Sequence, residues 1–415
     1  MALLPDLSFR SVATALLLVG GLSGLTWAAN WIAVSPTDGV VRASLSPVEA
    51  LAGSDTVGYA RALEPRAFRF PQDHGPHPEF RTEWWYVTAN LTAPDGRAFG
   101  AQLTFFRSAL VPELPERESA WNTNQLWMAH AAITDVAGER HLYAERFARE
   151  AVGLAGARAA PLRVWLEDWE IRASPDATSQ LPHPFPLELS ATDEGWAIHL
   201  ILDEGKPPVF HGEDGLSQKG PEPGNASYYF SFTRLPTQGS LVLEGETVPV
   251  TGLAWIDREW STSALGPAHT GWDWFSIQLS DGRELMFFEL RREDGTRDPL
   301  NHGSLVAPDG TREPLNAHQV EIEALGSWES PLDGARYPSG WRLRVPHRGI
   351  DLEITPKLRN QEMNLAFRYW EGTVWVEGLG VEGDVVGDGY VELTGYEMDP
   401  PDERPTRGAP PSPRE

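Results

Sequence analysis

The chain has no cysteine. That absence excludes disulfides, thiolate nucleophiles, cysteine-ligated zinc and a lipoprotein-type lipid anchor. Positive charge is scarce: 34 Lys and Arg stand against 59 Asp and Glu, a formal net charge of −25. Such a surface repels phosphate backbones, so nucleic acid is not expected as a partner. Motifs for nucleotide and nucleophilic-serine chemistry are missing too, with no P-loop, G-x-S-x-G elbow or H-E-x-x-H helix. "FPQDHGPHPEF" holds Asp73, His74, His77 and Glu79, but its Pro- and Gly-rich spacing offers no regular geometry to converge ligands. No metal and no cofactor are expected.

Long helical patterns are also absent. What is present is 17 Trp, 39 Gly and 35 Pro, with short alternating runs between turn signals, the composition of an all-β protein of barrels or sandwiches. At 415 residues and 41% hydrophobic content, two domains are expected rather than one. Glu83 to Arg107 reads as a hairpin joined at Pro94-Asp95-Gly96, because Asp-Gly supplies the positive φ of a tight turn. The pattern returns at Gly271 to Arg291, with Trp84 matching Trp272, Tyr86 matching Trp274, and Asp95-Gly96-Arg97 matching Asp281-Gly282-Arg283. Trp196 against Trp341, and "TGLAWIDREW" against "DGYVELTGYE", extend the match in the same order, so the chain reads as an internal duplication.

No charge occurs from Ser11 to Thr37, and the apolar core "VATALLLVGGLSGL" follows Arg10 and precedes Ala28 and Ala29. This is the pattern of an export signal, and the run is also long enough for an uncleaved membrane anchor. Either outcome places the body in the periplasm or outside the cell, the second with a membrane tether. The expected organisation is signal or anchor at 1–29, lead-in at 30–66, a first barrel domain at 67–267 and a second at 268–398. A proline-rich tail at 399–415 is expected to be disordered.

In "GLAWIDREWST" (Gly252–Thr262), strand alternation projects Trp255, Asp257 and Glu259 on one face and Ile256, Arg258 and Trp260 on the other. Two carboxylates among indoles repel as anions and burial disfavours charge further, so at least one is expected to keep a proton near neutrality. That is the property of a general acid. The alternative is an exposed Asp-Arg-Glu loop with a weak ion pair. The repeat alignment sets Thr394 opposite Asp257, so the acid is expected in one copy only. Glu83, beside Trp84, Trp85 and Tyr86, and His130, in "WMAHAAITD", are either site residues or buried groups satisfied by an arginine and by a core hydrogen bond.

The segments "FRFPQDHGPHPEFRTEWWYVTANL", "AHAAITD", "GLAWIDREWST", "GWDWFSIQLSDGRELM", "YWEGTVWVEG" and "GYVELTGY" together resemble the AttH / carotenoid 1,2-hydratase family of lipocalin-like proteins, in the branch described as predicted secreted hydrolases. The resemblance runs from about Gly58 to Met398. It implies two tandem lipocalin-like (calycin) β-barrels. Its relatives add water across an isoprenoid alkene or, as fungal pericyclases, fold a polyene between the domains. In the hydratase branch an acid on this strand is the proposed proton donor, and Asp257 is the matching position. That branch has an upstream His-x-Trp and a Tyr two residues before the acid; here Tyr228-Tyr229-Phe230 and Trp255 stand instead.

The expected function is thus an exported hydratase or hydrolase of a hydrophobic, isoprenoid or lipid-like substrate. Asp257 protonates the alkene or leaving group, and Glu259 or His130 positions water. Trp272 and Trp274 stabilise developing positive charge by cation–π attraction, about 0.5–2 kcal/mol each. Trp255, Tyr228, Phe230, Glu83 and Trp85 complete the expected substrate-binding set. The alternatives are a non-catalytic carrier of an apolar ligand, or an isomerase or pericyclase of the same fold.

Overall fold

The Pro94-Asp95-Gly96 turn joins β1 (Thr82–Thr92) to β2 (Ala98–Ala109), with Gly96 at φ +88°. Asp281-Gly282 joins β14 (His269–Leu279) to β15 (Glu284–Arg292) in the same way, with Gly282 at φ +82°. The computed structural model describes residues 56–396 except 115, 117, 176–182, 264 and 267. The expected signal or anchor at 1–29, the lead-in up to residue 55 and the tail at 399–415 lie outside the described residues.

Among the described residues, every regular element apart from two single-turn 3₁₀ helices is a strand, and the pairings of the two large sheets are antiparallel. After β2 come β3 (Gln125–Asp135), β4 (Arg140–Arg149), β5 (Ala155–Ala159), β6 (Leu162–Leu166), β7 (Trp169–Ala173), β8 (Leu187–Asp193) and β9 (Trp196–Leu202). Short β10 (Val209–Phe210) and β11 (Leu216–Gln218) lead into the long hairpin of β12 (Ala226–Leu243) and β13 (Glu246–Ser261). The first sheet runs β4, β3, β2, β1, β13, β12, β9, β8, β7, β6, β5. Its far end returns, β6 touching β2, β3 and β4, so the sheet curls into a nearly closed barrel around one apolar core.

The second half continues from β15 with β16 (His302–Val306), β17 (Arg312–Asn316), β18 (Glu321–Ala324), a side pair β19 (Ser327–Glu329) and β20 (Arg336–Pro338), then β21 (Trp341–Val345), β22 (Ile350–Pro356), β23 (Glu362–Asn364), β24 (Arg368–Gly380) and β25 (Gly383–Thr394). Its sheet runs β17, β16, β15, β14, β25, β24, β22, β21, β18 around a second core. Its nine strands follow the order of the first nine of the eleven in the first sheet, β6 and β5 having no counterpart, a pattern consistent with an internal duplication.

The pairing register corrects two parts of the repeat alignment. Trp196 opens β9 but Trp341 opens β21, whose place in the order is that of β8, so those tryptophans are one strand apart. In the first sheet Tyr86 faces Asp257 and Trp84 faces Glu259. In the second, Trp274 faces Glu392 and Trp272 lies beside Thr394. With Tyr86 matched to Trp274, the partner of Asp257 is therefore Glu392, and Thr394 matches Glu259. The acid is present in both copies.

β1 and β14 over most of their length, and β13 and β25 over their C-terminal halves, are buried on both faces. One face fills a barrel core; the other joins a shared aromatic layer that includes Tyr86, Tyr229, Trp255, Trp274, Phe288 and Tyr390, drawn from both halves. A buried carboxylate fastens them together. The register shift between Phe232 and Leu235 re-aims Thr233 and Arg234 at Glu284, as a bulge does, and Lys206 Nζ reaches Glu284 Oε2 at 2.7 Å. Lys206→Met is expected to cost about 1.5–3 kcal/mol, the range for hydrogen bonds to charged groups, read as a lower urea midpoint at unchanged slope.

Candidate active site

Asp257 lies in a cleft between the two sheets and is 4% exposed. The loop alternative is excluded, because β13 continues through Asp-Arg-Glu to Ser261. The β12/β13 register sets Ser231 opposite Asp257 and Tyr229 opposite Glu259. Accordingly Tyr229 Oη donates to Asp257 Oδ2 at 2.6 Å, while Oδ1 accepts Trp255 Nε1 at 2.6 Å and the Ser231 hydroxyl. Burial is the dominant influence on this carboxyl and pushes its pKa up to about 7; the three donors oppose the rise and the Glu259 charge adds to it. An acid poised there can give up a proton at neutral pH.

Behind Ser231, His211 bridges the halves. Its Nε2 lies 2.7 Å from Ser231 Oγ and its Nδ1 2.9 Å from Ser304 Oγ on β16. Burial, reinforced by the Arg312 charge, holds the imidazole well below its usual range, so it is neutral and donates from one nitrogen while accepting at the other. His211→Leu removes both bonds and is expected to cost roughly 1–3 kcal/mol, counting about 0.5–1.5 kcal/mol per bond; the urea midpoint measures it.

Glu259 also faces the cleft, at 4% exposure, but it is engaged: Lys219 Nζ lies 2.9 Å away and Ser227 donates to the same oxygen. Trp272 and Trp274 are both in the cleft. Trp274 donates to Tyr229 Oη at 3.1 Å and meets Tyr86 edge-on at 5.2 Å. Trp272 donates to Glu392 Oε1 at 2.9 Å. Trp255, 2% exposed, stands beside Asp257 and holds its carboxyl. Beyond Trp84 and Tyr86 a second recess is lined by Tyr369, Glu371 and Glu392, and Glu392 belongs to both recesses.

Four expected site residues are placed elsewhere, and a fifth, Glu83, lines the second recess but is held in an ion cluster. Tyr228 and Phe230 have the opposite parity from Tyr229 and point into the first barrel, where they pack with Phe68 and Trp260. Trp85 is stacked on Trp127 in the same core, with the opposite parity from Trp84 and Tyr86, which face the cleft. Glu83 is fully buried in an ion cluster, Arg107 Nε and Arg258 Nη2 each 2.5 Å from it, with His77 beside them. Of "FPQDHGPHPEF", Asp73 pairs with Arg66 and His77 with Asp73 and Glu83, whereas His74 stacks on Phe70 and Glu79 is exposed. His130 is buried, with Nδ1 at 2.8 Å from Tyr369 Oη and Nε2 at 3.4 Å from Glu145. It pairs with Thr104, which pairs with Tyr86, which pairs with Asp257. Three strand spacings, about 14 Å, keep it from acting beside Asp257.

Tyr229, Ser231, His211, Lys219, Glu371 and Glu392 were not singled out from the sequence. Glu392 was within reach of it, since shifting the repeat alignment by two residues sets it against Asp257. Tyr229 and Ser231 needed the register of a strand more than twenty residues upstream.

Two antiparallel barrel-like units, one nearly closed and one a half-barrel, with an acid-bearing aromatic cleft between them define a tandem lipocalin-like protein. The chain belongs to the AttH-like family, which matches residues 61–396. It is similar to the AttH protein of Nitrosomonas europaea, at 35% identity over 81% of this chain and 100% of that one, with a TM-score of 0.71. In fold it is similar to kievitone hydratase of Nectria haematococca, at 16% identity over 81% of this chain and 96% of that one, with a TM-score of 0.61. No curated protein matches the sequence.

Proposed function

We propose that the protein is an exported hydratase of a hydrophobic, isoprenoid or lipid-like alkene, with Asp257 as the general acid. The observation that carries this reading is a carboxyl buried in an aromatic cleft and oriented by Tyr229, Trp255 and Ser231. Asp257 Oδ2 delivers its proton to the alkene, and the faces of Tyr86 and Trp274 stabilise the carbocation, about 0.5–2 kcal/mol per ring. Water then captures the cation. The likeness in fold to a protein named as a hydratase supports water addition over hydrolysis. The test is incubation with monoterpene, sesquiterpene and carotenoid alkenes in ¹⁸O-water. Labelled alcohol is expected, and unlabelled, unchanged alkene throughout would refute the reading.

One observation favours a carrier instead: Glu259 and Lys219 neutralise each other, leaving a largely aromatic lining. A carrier would yield stoichiometric ligand in organic extracts of the purified protein and would be indifferent to Asp257→Asn. Export rests on the uncharged apolar run from Ser11 to Thr37, whether cleaved or kept as an anchor. Cell fractionation with sequencing of the mature N-terminus separates periplasmic, secreted and tethered forms.

A further inference from the structure

The cleft contains a second pair of acids that the Asp257 step does not use. Glu371 and Glu392 are direct partners across the β24/β25 hairpin, so their side chains leave the sheet on one face with Cβ atoms about 4.5–5.5 Å apart. Glu371 is 1% exposed; its Oε1 accepts the Tyr86 hydroxyl, and its Oε2 has no hydrogen-bond donor among the described residues. Both residues line the second recess, and Glu392 lines the Asp257 recess as well. By register Glu392 is the counterpart of Asp257, and Glu371 that of Ser231. The duplication has therefore placed an acid from each half on the same cleft, with Trp84, Tyr86 and Trp272 forming the wall common to both recesses.

Two carboxylates so close in a buried site do not both ionise. Glu371 is raised well above the usual carboxylate range and Glu392 to about 8, burial being the largest cause for each, with mutual repulsion raising Glu371 and the Asp257 charge raising both. Glu371 keeps its proton and Glu392, the lower of the two, gives up its own as pH rises through about 8; once it has, the pair offers a donor and an acceptor side by side.

We propose that Glu371 and Glu392 form a second proton-transfer station, which holds the attacking water and takes its proton while Asp257 protonates the alkene. This rests on the hydration reading. In the forward step the alkene π pair forms a C–H bond as the Asp257 O–H bond breaks, leaving a carbocation and the Asp257 carboxylate. A lone pair of the water oxygen then forms the C–O bond. One water O–H bond breaks, its electrons stay on oxygen, and the proton passes to the ionised member of the pair. The alcohol leaves with Asp257 one proton poorer and the pair one richer; exchange with solvent restores both. No oxidant, reductant or cofactor enters.

The test uses the full-length protein and the isosteric variants Glu371→Gln and Glu392→Gln beside Asp257→Asn. The same terpene and carotenoid alkenes are incubated in D₂O and, separately, in ¹⁸O-water. Protonation that is reversed before capture exchanges alkene hydrogen for deuterium, whereas capture introduces ¹⁸O. Asp257→Asn is expected to lose both. Each Gln variant is expected to lose ¹⁸O incorporation by on the order of 10²-fold while keeping deuterium exchange. The infrared carbonyl band of a protonated carboxyl, recorded on the free protein at neutral pH, is expected to weaken in either Gln variant. Wild-type ¹⁸O incorporation in both Gln variants overturns the second station and leaves Asp257 as the acid. Equal loss of exchange and capture in a folded Gln variant overturns it too, and a wild-type protein inert on every alkene removes the hydration reading and the station with it.

Discussion

Asp257→Asn is expected to lower turnover by on the order of 10³-fold, within the range general-acid catalysis supplies, while the protein stays folded. Asn keeps the volume and still accepts from Ser231, Trp255 or Tyr229, but has no proton to give. Stability measurements separate lost chemistry from lost structure, because the Asp257 pKa is raised in the fold, to about 7. A raised acid favours folding fully only below its unfolded pKa, about 3.9. That contribution shrinks as pH rises from there towards 7, where the buried group must ionise. Asp257→Asn should therefore match the wild type near pH 4 and be the more stable of the two near pH 8. A variant with wild-type kcat/KM would end the acid assignment, and one that unfolds at both pH values would mean the residue is structural.

The second large effect concerns Glu83. It is fully buried between Arg107 and Arg258, whose side chains are 0% and 2% exposed. The Arg258 guanidinium also lies 3.8 Å over the Trp85 ring, and the His77 ring stacks on Trp260 at 3.8 Å. Glu83→Gln leaves two guanidinium groups facing each other out of water with no anion between them. Breaking a buried pair in this way costs about 3–5 kcal/mol, to be read from urea or thermal unfolding. Burial works to raise the Glu83 carboxyl, but Arg107, Arg258 and His77 together outweigh it and hold the pKa far below the usual glutamate range. A depressed acid contributes fully above its unfolded pKa, about 4.3, and the contribution is lost as pH falls through the native value. The variant should accordingly lose less stability than the wild type on acidification below pH 4. A variant as stable as the wild type at pH 7 would show that the cluster contributes specificity rather than stability.

These two residues mark how far the sequence could be followed. "WIDREW" carries its own geometry: period-two alternation places Asp257 and Glu259 together and Arg258 opposite, and the structure has Asp257 in the cleft with Arg258 turned to Glu83. "RTEWWY" alternates too, but the sequence does not say which parity faces the core, since both faces carry aromatic residues. Trp85 went to the barrel and Glu83 to its ion cluster, Trp84 and Tyr86 to the cleft. Burial on both faces erases the polar-and-apolar contrast that normally orients a strand. Tyr228 and Phe230 exchanged roles with Tyr229 and Ser231 for the same reason.

The all-β class, the hairpin turns and the duplication belong to local information, because alternation, Asp-Gly turns and a repeated aromatic pattern are written in consecutive residues. The pairing of Asp257 with Ser231 and Tyr229, the His211 bridge to Ser304, and the meeting of Glu371 with Glu392 and Tyr86 belong to the tertiary structure. Strand register is set by hydrogen bonds between segments distant in sequence. A carboxyl's protonation depends on the water that packing removes and the donors that packing supplies. The sequence determined which chemical groups were available, and the docking of the two barrels decided which of them share one dry cleft.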